Sequence, residues 1–229
     1  MASRPFLDRL GDDTRSRLER HWTRRRRGRG ETILLAGEDG TSVHFMLAGQ
    51  ARASLASDEG RTVSFRDFAP GDIFGEFSAI DKAPRSASVV ALTDVVVAGL
   101  AGSLLDRFVA EDPGFARALL AHVTAVSRDM NTRVFEYSTM LMRERLQREL
   151  LRLAATGRAA GDGVEIAPAP THQALADRIS SHREAVSREM SRLARAGLVM
   201  RRPGALLITD IALLRGTGPG ALEAIRPVL

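Results

Sequence analysis

The sequence predicts an α+β chain in three parts: an N-terminal antiparallel sandwich or barrel, a long central helix, and a C-terminal winged helix-turn-helix. Three observations carry this. Short apolar runs alternate with turn signals up to about residue 110. A helical repeat then runs from Asp112-Pro113 to about residue 140. Beyond a loop at Gly157–Pro170, two short amphipathic helices precede a hairpin. The matching domain limits are 1–111, 112–141 and 142–229.

In the first part, Phe6, Leu7, Leu10 and Leu18 give an amphipathic helical entry. The runs Ile33–Leu35, Val43–Leu47 and Val63–Phe65 then read as strands. Gly37-Glu38-Asp39-Gly40, Asp58-Glu59-Gly60 and Pro70-Gly71 punctuate them as turns. The basic run Arg24 to Arg27 alternates into a strand and reads as a solvated edge rather than a nucleic-acid patch.

Composition narrows the class. The 229 residues include no cysteine, which excludes disulfides, thiolate metal sites and cysteine-ligated iron–sulfur clusters. The start Met1-Ala2-Ser3-Arg4-Pro5-Phe6 has no signal-peptide core. The longest apolar stretch, Val89 to Gly102, is interrupted by Thr93-Asp94 and too short to span a bilayer. A soluble, cytoplasmic protein is expected. The net charge of +5 lies entirely from Arg143 onward, where fourteen arginines face nine acidic residues. A polyanion is the partner such a C-terminal part would meet.

The chemistry-bearing motif is Gly75-Glu76-Phe77-Ser78-Ala79-Ile80-Asp81-Lys82-Ala83-Pro84-Arg85-Ser86-Ala87. A cyclic nucleotide asks for these groups. A carboxylate accepts the ribose hydroxyl proton, a guanidinium pairs with the cyclic phosphate, and a hydroxyl with backbone N–H groups completes the anion cradle. Glycine lets the backbone approach the sugar. A lone Gly-Glu would mean nothing; the joint spacing, with Gly71-Asp72 before it and Val89-Val90-Ala91 after it, is specific.

Leu119, Val123, Val126, Met130, Val134, Tyr137 and Leu141 recur in steps of four, three, four, four, three and four. This near-heptad seam favours pairing of two copies of the chain over packing within one domain. A further helix carries Leu146, Leu150 and Leu153. In the segment Thr171 to Met190, Leu175 and Ile179 form one apolar face and Val186, Met190 and Leu193 a second. Ala176 allows a close helix crossing, and Ser180-Ser181 breaks the pattern and offers a cap. Leu198–Arg202, Pro203-Gly204 and Ala205–Ile208 read as the wing hairpin. In the second helix Arg183 suits guanine O6 and N7, Glu184 suits cytosine N4, and Arg188 suits a base edge or a phosphate. The competing reading of Glu184 is a capping box with Ser181.

In order and over essentially the whole chain, these pieces resemble the Crp–Fnr family of transcription regulators. Gly75-Glu76…Arg85-Ser86-Ala87, the helix from Asp112-Pro113, and Arg183-Glu184-Ala185-Val186-Ser187-Arg188 carry the resemblance. It implies an N-terminal antiparallel β-roll that is a cyclic-nucleotide-binding domain, a dimerisation helix, a winged helix-turn-helix and a palindromic site of the TGTGA–N6–TCACA type. It assigns ligand contacts to Gly75, Glu76, Phe77, Arg85, Ser86 and Ala87, and base contacts to Arg183, Glu184 and Arg188. Thr171, His172, Gln173 and Ser187 are counted with the DNA-facing residues. Where cAMP-responsive members place hydroxyls on the dimer helix, this chain has Met130 and Asn131, with Thr132 next. Asn131 suits either purine, so the allosteric ligand is read as cAMP with cGMP as the alternative. Ser180 stands where some members have glycine.

No cofactor, metal or catalytic constellation is read from the sequence, and an enzyme or a kinase-type regulatory subunit would leave the arginine-rich helix pair unexplained. Expected partners are double-stranded DNA and a second copy of the chain, with RNA polymerase as a further candidate. The nearest rival keeps the fold and changes the signal: a haem-bound gas, a small metabolite, or none. His21, His44 and His122 leave haem formally open, although a lone histidine on an apolar face is more often structural.

Overall fold

The structure, a computed structural model, describes residues 4–59 and 61–216. Gly60 of the predicted turn therefore lies outside the described residues, as do the predicted domain ends at 1 and 229. The chain divides into two compact units, one up to Met130 and one from Asn131 onward.

The N-terminal unit begins with a 3-10 turn at Leu7–Arg9 and helix α1 (Asp12–Glu19). Eight strands follow: β1 (Thr23–Arg27), β2 (Thr32–Leu34), β3 (Val43–Ala48), β4 (Ala51–Ala56), β5 (Thr62–Phe68), β6 (Ile73–Phe74), β7 (Ser88–Ala91) and β8 (Val95–Leu100). The short helix α2 (Glu76–Asp81) separates β6 from β7. The strands form two four-stranded antiparallel sheets, ordered β1-β8-β3-β6 and β2-β7-β4-β5. Strand alternation divides the core in two. Val95 and Val97 of β8 join Met46, Phe68, Phe74, Val89 and Ala91 in one cluster. Ala98 and Leu100, facing the other way, join the helical residues Phe6, Leu18, Leu105, Phe108 and Phe115. The first sheet is thus covered on both faces. Among the described residues β1 pairs only with β8, and Arg24 to Arg26 are exposed, so the basic run is the solvated edge that the sequence suggested.

Helix α3 (Gly102–Glu111) leads into α4 (Pro113–Thr139). Proline at the first helical position needs no N–H partner, and Asp112 caps the turn by accepting the Phe115 N–H at 2.9 Å. Burial divides the residues of the predicted seam along α4. Leu119 is buried in the core of the N-terminal unit, and the Tyr137 hydroxyl donates to the Arg178 carbonyl at 3.0 Å. The large apolar residues that α4 and the residues after it expose are Leu120, Met130, Val134, Phe135 and Leu141. Heptad spacing cannot tell a core face from a pairing face when one helix serves both.

The C-terminal unit contains α5 (Met142–Ala154), β9 (Arg158–Ala160), β10 (Gly163–Ile166), α6 (His172–Arg178), α7 (Arg183–Arg195), β11 (Val199–Arg202), β12 (Ala205–Ile208) and α8 (Ile211–Gly216). β9 and β10 correct the reading of Gly157–Pro170 as plain loop. They pair as a hairpin and extend the wing into a sheet ordered β11-β12-β10-β9. Apart from Val164 and Ile166 this run shows no apolar alternation, and its glycines and prolines read as loop. Leu146, Leu150, Leu175, Val186, Leu193, Leu206 and Ile208 form the core of this unit.

Candidate functional site: a phosphate cassette and a recognition helix

The cassette begins where β6 ends. Gly75 sits at φ +79°, turning the chain into α2. A Cβ there would fall 2.9 Å from Arg85 Nη1 and 3.2 Å from the Ser42 carbonyl oxygen. Glycine is therefore required by backbone conformation and by space together.

Arg85 is only 6% exposed. Its backbone is tied to the preceding loop: its N–H donates to the Glu38 carbonyl at 2.9 Å, and its carbonyl accepts from Gly37 at 2.8 Å. The guanidinium is held by neutral acceptors. Nη1 donates to the Gly75 carbonyl at 2.9 Å, and Nη2 donates to the Ser42 carbonyl at 2.8 Å and to its hydroxyl at 3.0 Å. Of the five N–H donors of an arginine, two, including Nε–H, are left without an acceptor among the described residues. No carboxylate pairs with it at ion-pair distance among those residues. Burial lowers its pKa below the usual arginine range, and the Glu76 charge opposes that shift.

Glu76 is also buried. Its Oε1 lies 3.0 Å from Nε2 of His122, a buried residue of α4 whose ring stands edge-on to Phe6 at 5.9 Å. Sequence reading placed His122 only as a structural or haem-ligating histidine. Its partnership with Glu76 spans 46 positions, and nothing local signals it. Gly75, Glu76 and Arg85 are thus brought together. Phe77 and Ala87 are half-buried, and Ser86 is exposed. Met130, Asn131 and Thr132 are exposed on α4.

In the C-terminal unit, Thr171 caps α6 by accepting the Ala174 N–H at 3.0 Å. His172 and Ser187 join α6 to α7 at 2.7 Å, and Gln173 donates to Asp177 at 2.7 Å. Helix α7 starts at Arg183 with His182 as its N-cap, and no side-chain capping hydrogen bond is made to it among the described residues. The Ser181–Glu184 capping box is therefore absent, and Ser181 does not cap α7, because the turn ends one residue later than the pattern suggested. Arg183, Glu184 and Arg188 are exposed, with no ion pair or hydrogen bond from their side chains among the described residues. His172 is lowered by burial, then by Arg201 and Arg183, so wing and recognition helix gather positive charge at one place. Sequence reading did not single out Arg201.

The helix-turn-helix is held from behind by buried charge. Glu149, fully buried, accepts from Arg178 at 2.7 Å and from Arg152 at 3.1 Å. Glu136 pairs with Arg148 at 3.0 Å and with Arg152. Arg145 donates to the Ile179 carbonyl at 3.0 Å. Within the turn itself Ser180 takes a left-handed φ of +48°.

This fold and these two groups of residues define a class: a winged-helix regulator with a cyclic-nucleotide-binding domain. A model described as the cyclic nucleotide-binding domain matches residues 24–112, and one described as the Crp-like helix-turn-helix domain matches 144–217. The chain is 33% identical over 204 residues to the transcriptional regulator LdrP of Thermus thermophilus, covering 87% of this chain and 99% of that one. It is 25% identical over 183 residues to the CRP-like cAMP-activated global transcriptional regulator of Mycobacterium tuberculosis, covering 80% and 82%. The solved structure of a CRP-family transcriptional regulator from Thermus thermophilus superposes with a TM-score of 0.72 at 29% identity, covering 87% and 99%. The chain belongs to the Crp–Fnr family of DNA-binding transcription regulators. Among its described residues no helix is long and apolar enough to cross a membrane.

Proposed function

We propose that this regulator is a cytoplasmic homodimer switched by a cyclic nucleotide, cAMP or alternatively cGMP, bound at the Gly75–Ala87 cassette. The division into sensor (1–111), dimerisation helix (112–141) and DNA-binding part (142–229) belongs to the same proposal. One observation carries it: among the described residues the buried Arg85 guanidinium has no carboxylate partner at ion-pair distance and two unused N–H donors. A buried cation satisfied only by neutral acceptors gains more from an anion than an exposed one does. A cyclic phosphate supplies that anion. Glu76 then takes the ribose hydroxyl, Ser86 and Ala87 complete the cradle with Gly75 and Phe77, and Asn131 and Thr132 beside Met130 are the base-reading positions.

Ligand acts only through its different affinity for two arrangements of the dimer. The favoured arrangement sets the two α7 helices into successive major grooves, about 34 Å apart on a palindromic site of the TGTGA type. Arg183 and Glu184 read base edges there, Arg188 a base edge or a phosphate. Thr171, His172, Gln173 and Ser187 line the same surface. The M. tuberculosis relative is by name cAMP-activated, which supports cAMP.

Calorimetric titration with cAMP and cGMP tests the sensor. Saturable binding that is lost in Arg85→Ala, with the fold retained, is expected. Unchanged affinity in that variant would remove the cassette from the reading. For DNA, Arg183→Ala should lose about 1–3 kcal/mol at the specific site and little on random sequence. The second reading, the same regulator fold answering another signal, draws on Met130, which offers no hydrogen bond where cAMP-responsive members carry a hydroxyl. Titration with no heat from either nucleotide would favour it.

A further inference from the structure

His44 lies in the N-terminal unit and has no role in the cassette as described above. It is the second residue of β3, and Ser42 immediately precedes that strand. Ser42 is the residue that holds the Arg85 guanidinium. The His44 ring stacks on Phe74, the last residue of β6, at 5.4 Å and 16°. Its Nδ1 is fully enclosed and has no hydrogen-bond partner among the described residues. Buried polar atoms are almost always paired, and one that is not costs about 1–3 kcal/mol. An orphaned nitrogen on the strand that directly follows the arginine anchor Ser42 calls for a partner that arrives with a ligand.

We propose that His44 is a further ligand-contacting residue, whose Nδ1 takes a proton from solvent and donates it to an anionic oxygen of the molecule bound at Arg85. This rests on the cyclic-nucleotide reading of the cassette and adds a specificity element to it: the site selects ligands by negative charge and binds them with proton uptake. The charged groups acting on His44 are Arg85 from the cassette and Arg25 from β1, both cationic. β6 and β8 present Phe74 and Gly99 beside it, which carry no charge. The cassette carboxylate Glu76 is engaged by His122. Before ligand arrives, burial and the two arginines keep His44 neutral, with its pKa lowered to about 4. An anion at Arg85 cancels part of that repulsion and adds attraction, so the pKa of the bound state rises toward the ordinary histidine range. A higher pKa in the bound state means that affinity grows as pH falls.

The test is calorimetric titration of the full chain with cAMP and cGMP from pH 7.5 to 5.5, in two buffers of different ionisation enthalpy. Wild type should bind about tenfold more tightly at the acid end and take up protons. His44→Phe keeps the stack on Phe74 and removes the nitrogen; it should bind with its neutral-pH affinity and lose the acid gain. His44→Asn, which is smaller and does not titrate, should lose it too. Every other titratable group is common to the three proteins, so its contribution cancels in the comparison. If both variants keep the wild-type pH profile, the role of His44 is overturned and the cassette reading stands. If wild type binds neither nucleotide at any pH, both fall.

Discussion

The Glu76 carboxylate and the His122 imidazole meet at 3.0 Å with both side chains buried, joining the cassette to the long helix within the N-terminal unit. The group proposed to hold the ribose is thus oriented by α4, and His122 is a positioning residue for it. Replacing His122 with Phe leaves a buried carboxylate short of a partner. Cyclic-nucleotide affinity should fall about tenfold or more, the equivalent of losing one hydrogen bond to a charged group. His122→Gln, which keeps an N–H donor, should recover most of it. Titration of the two variants side by side checks this, and equal affinity in both would mean that Glu76 is held without His122.

Ser180 occupies a left-handed conformation that costs a residue with a Cβ about 1–2 kcal/mol. Ser180→Gly should therefore raise the stability of the C-terminal unit by up to about 1 kcal/mol, after the greater flexibility of glycine in the unfolded chain is counted. A denaturant melt reads this directly. A loss of stability would show that the serine is not strained. Specific DNA affinity should change little, since the Ser180 side chain makes no hydrogen bond among the described residues.

Glu149 is fully buried between Arg178 and Arg152. Glu149→Ala leaves Arg178 charged and enclosed, which should cost about 3–5 kcal/mol. Arg178 ends α6, so specific DNA binding should be lost with stability, while Glu149→Gln should be milder. Thermal melting and a duplex-binding assay on the same samples separate the two effects.

The ligand-free protein should weaken in acid partly through His44. Its pKa is lowered on folding, from the ordinary histidine value of 6.5 to about 4, by burial and then by Arg85 and Arg25. Between these values the unfolded chain binds more protons than the folded one. The stability this group contributes is present above about pH 6.5 and is lost as pH falls toward 4, by about 3 kcal/mol at most. Denaturant melts across that range should show His44→Phe losing less than wild type by roughly that amount. Equal losses would place the acid sensitivity elsewhere.

Much of the architecture was legible before any coordinate. Turn signals and short apolar runs gave the antiparallel N-terminal part, Asp112-Pro113 gave the start of the long helix, and two apolar faces around Ser180 gave the helix-turn-helix. These are local properties: backbone conformation, capping and the period of apolar residues act within a few positions. The Gly75-Glu76…Arg85 spacing was legible for the same reason, as a short motif whose residue types name a ligand chemistry.

Other features depend on which surfaces meet, and one sequence does not record that. Leu119 and Val134 share a heptad pattern, yet Leu119 is spent on a core and Val134 is left exposed. β9 and β10 lie in a glycine- and proline-rich run that reads as loop, and they form because β12 offers β10 an edge and β10 offers one to β9. The Ser181–Glu184 box satisfied a local rule and lost to a turn that ends at His182. The pairing of Glu76 with His122, the neutral cradle of Arg85 and the enclosed nitrogen of His44 arise between segments far apart in the chain. The sequence by itself determined the elements, their order and the chemistry on offer; tertiary packing alone decided which charges are buried, what holds them and which donors are left for a ligand, because burial and partnership are properties of surfaces brought together by folding.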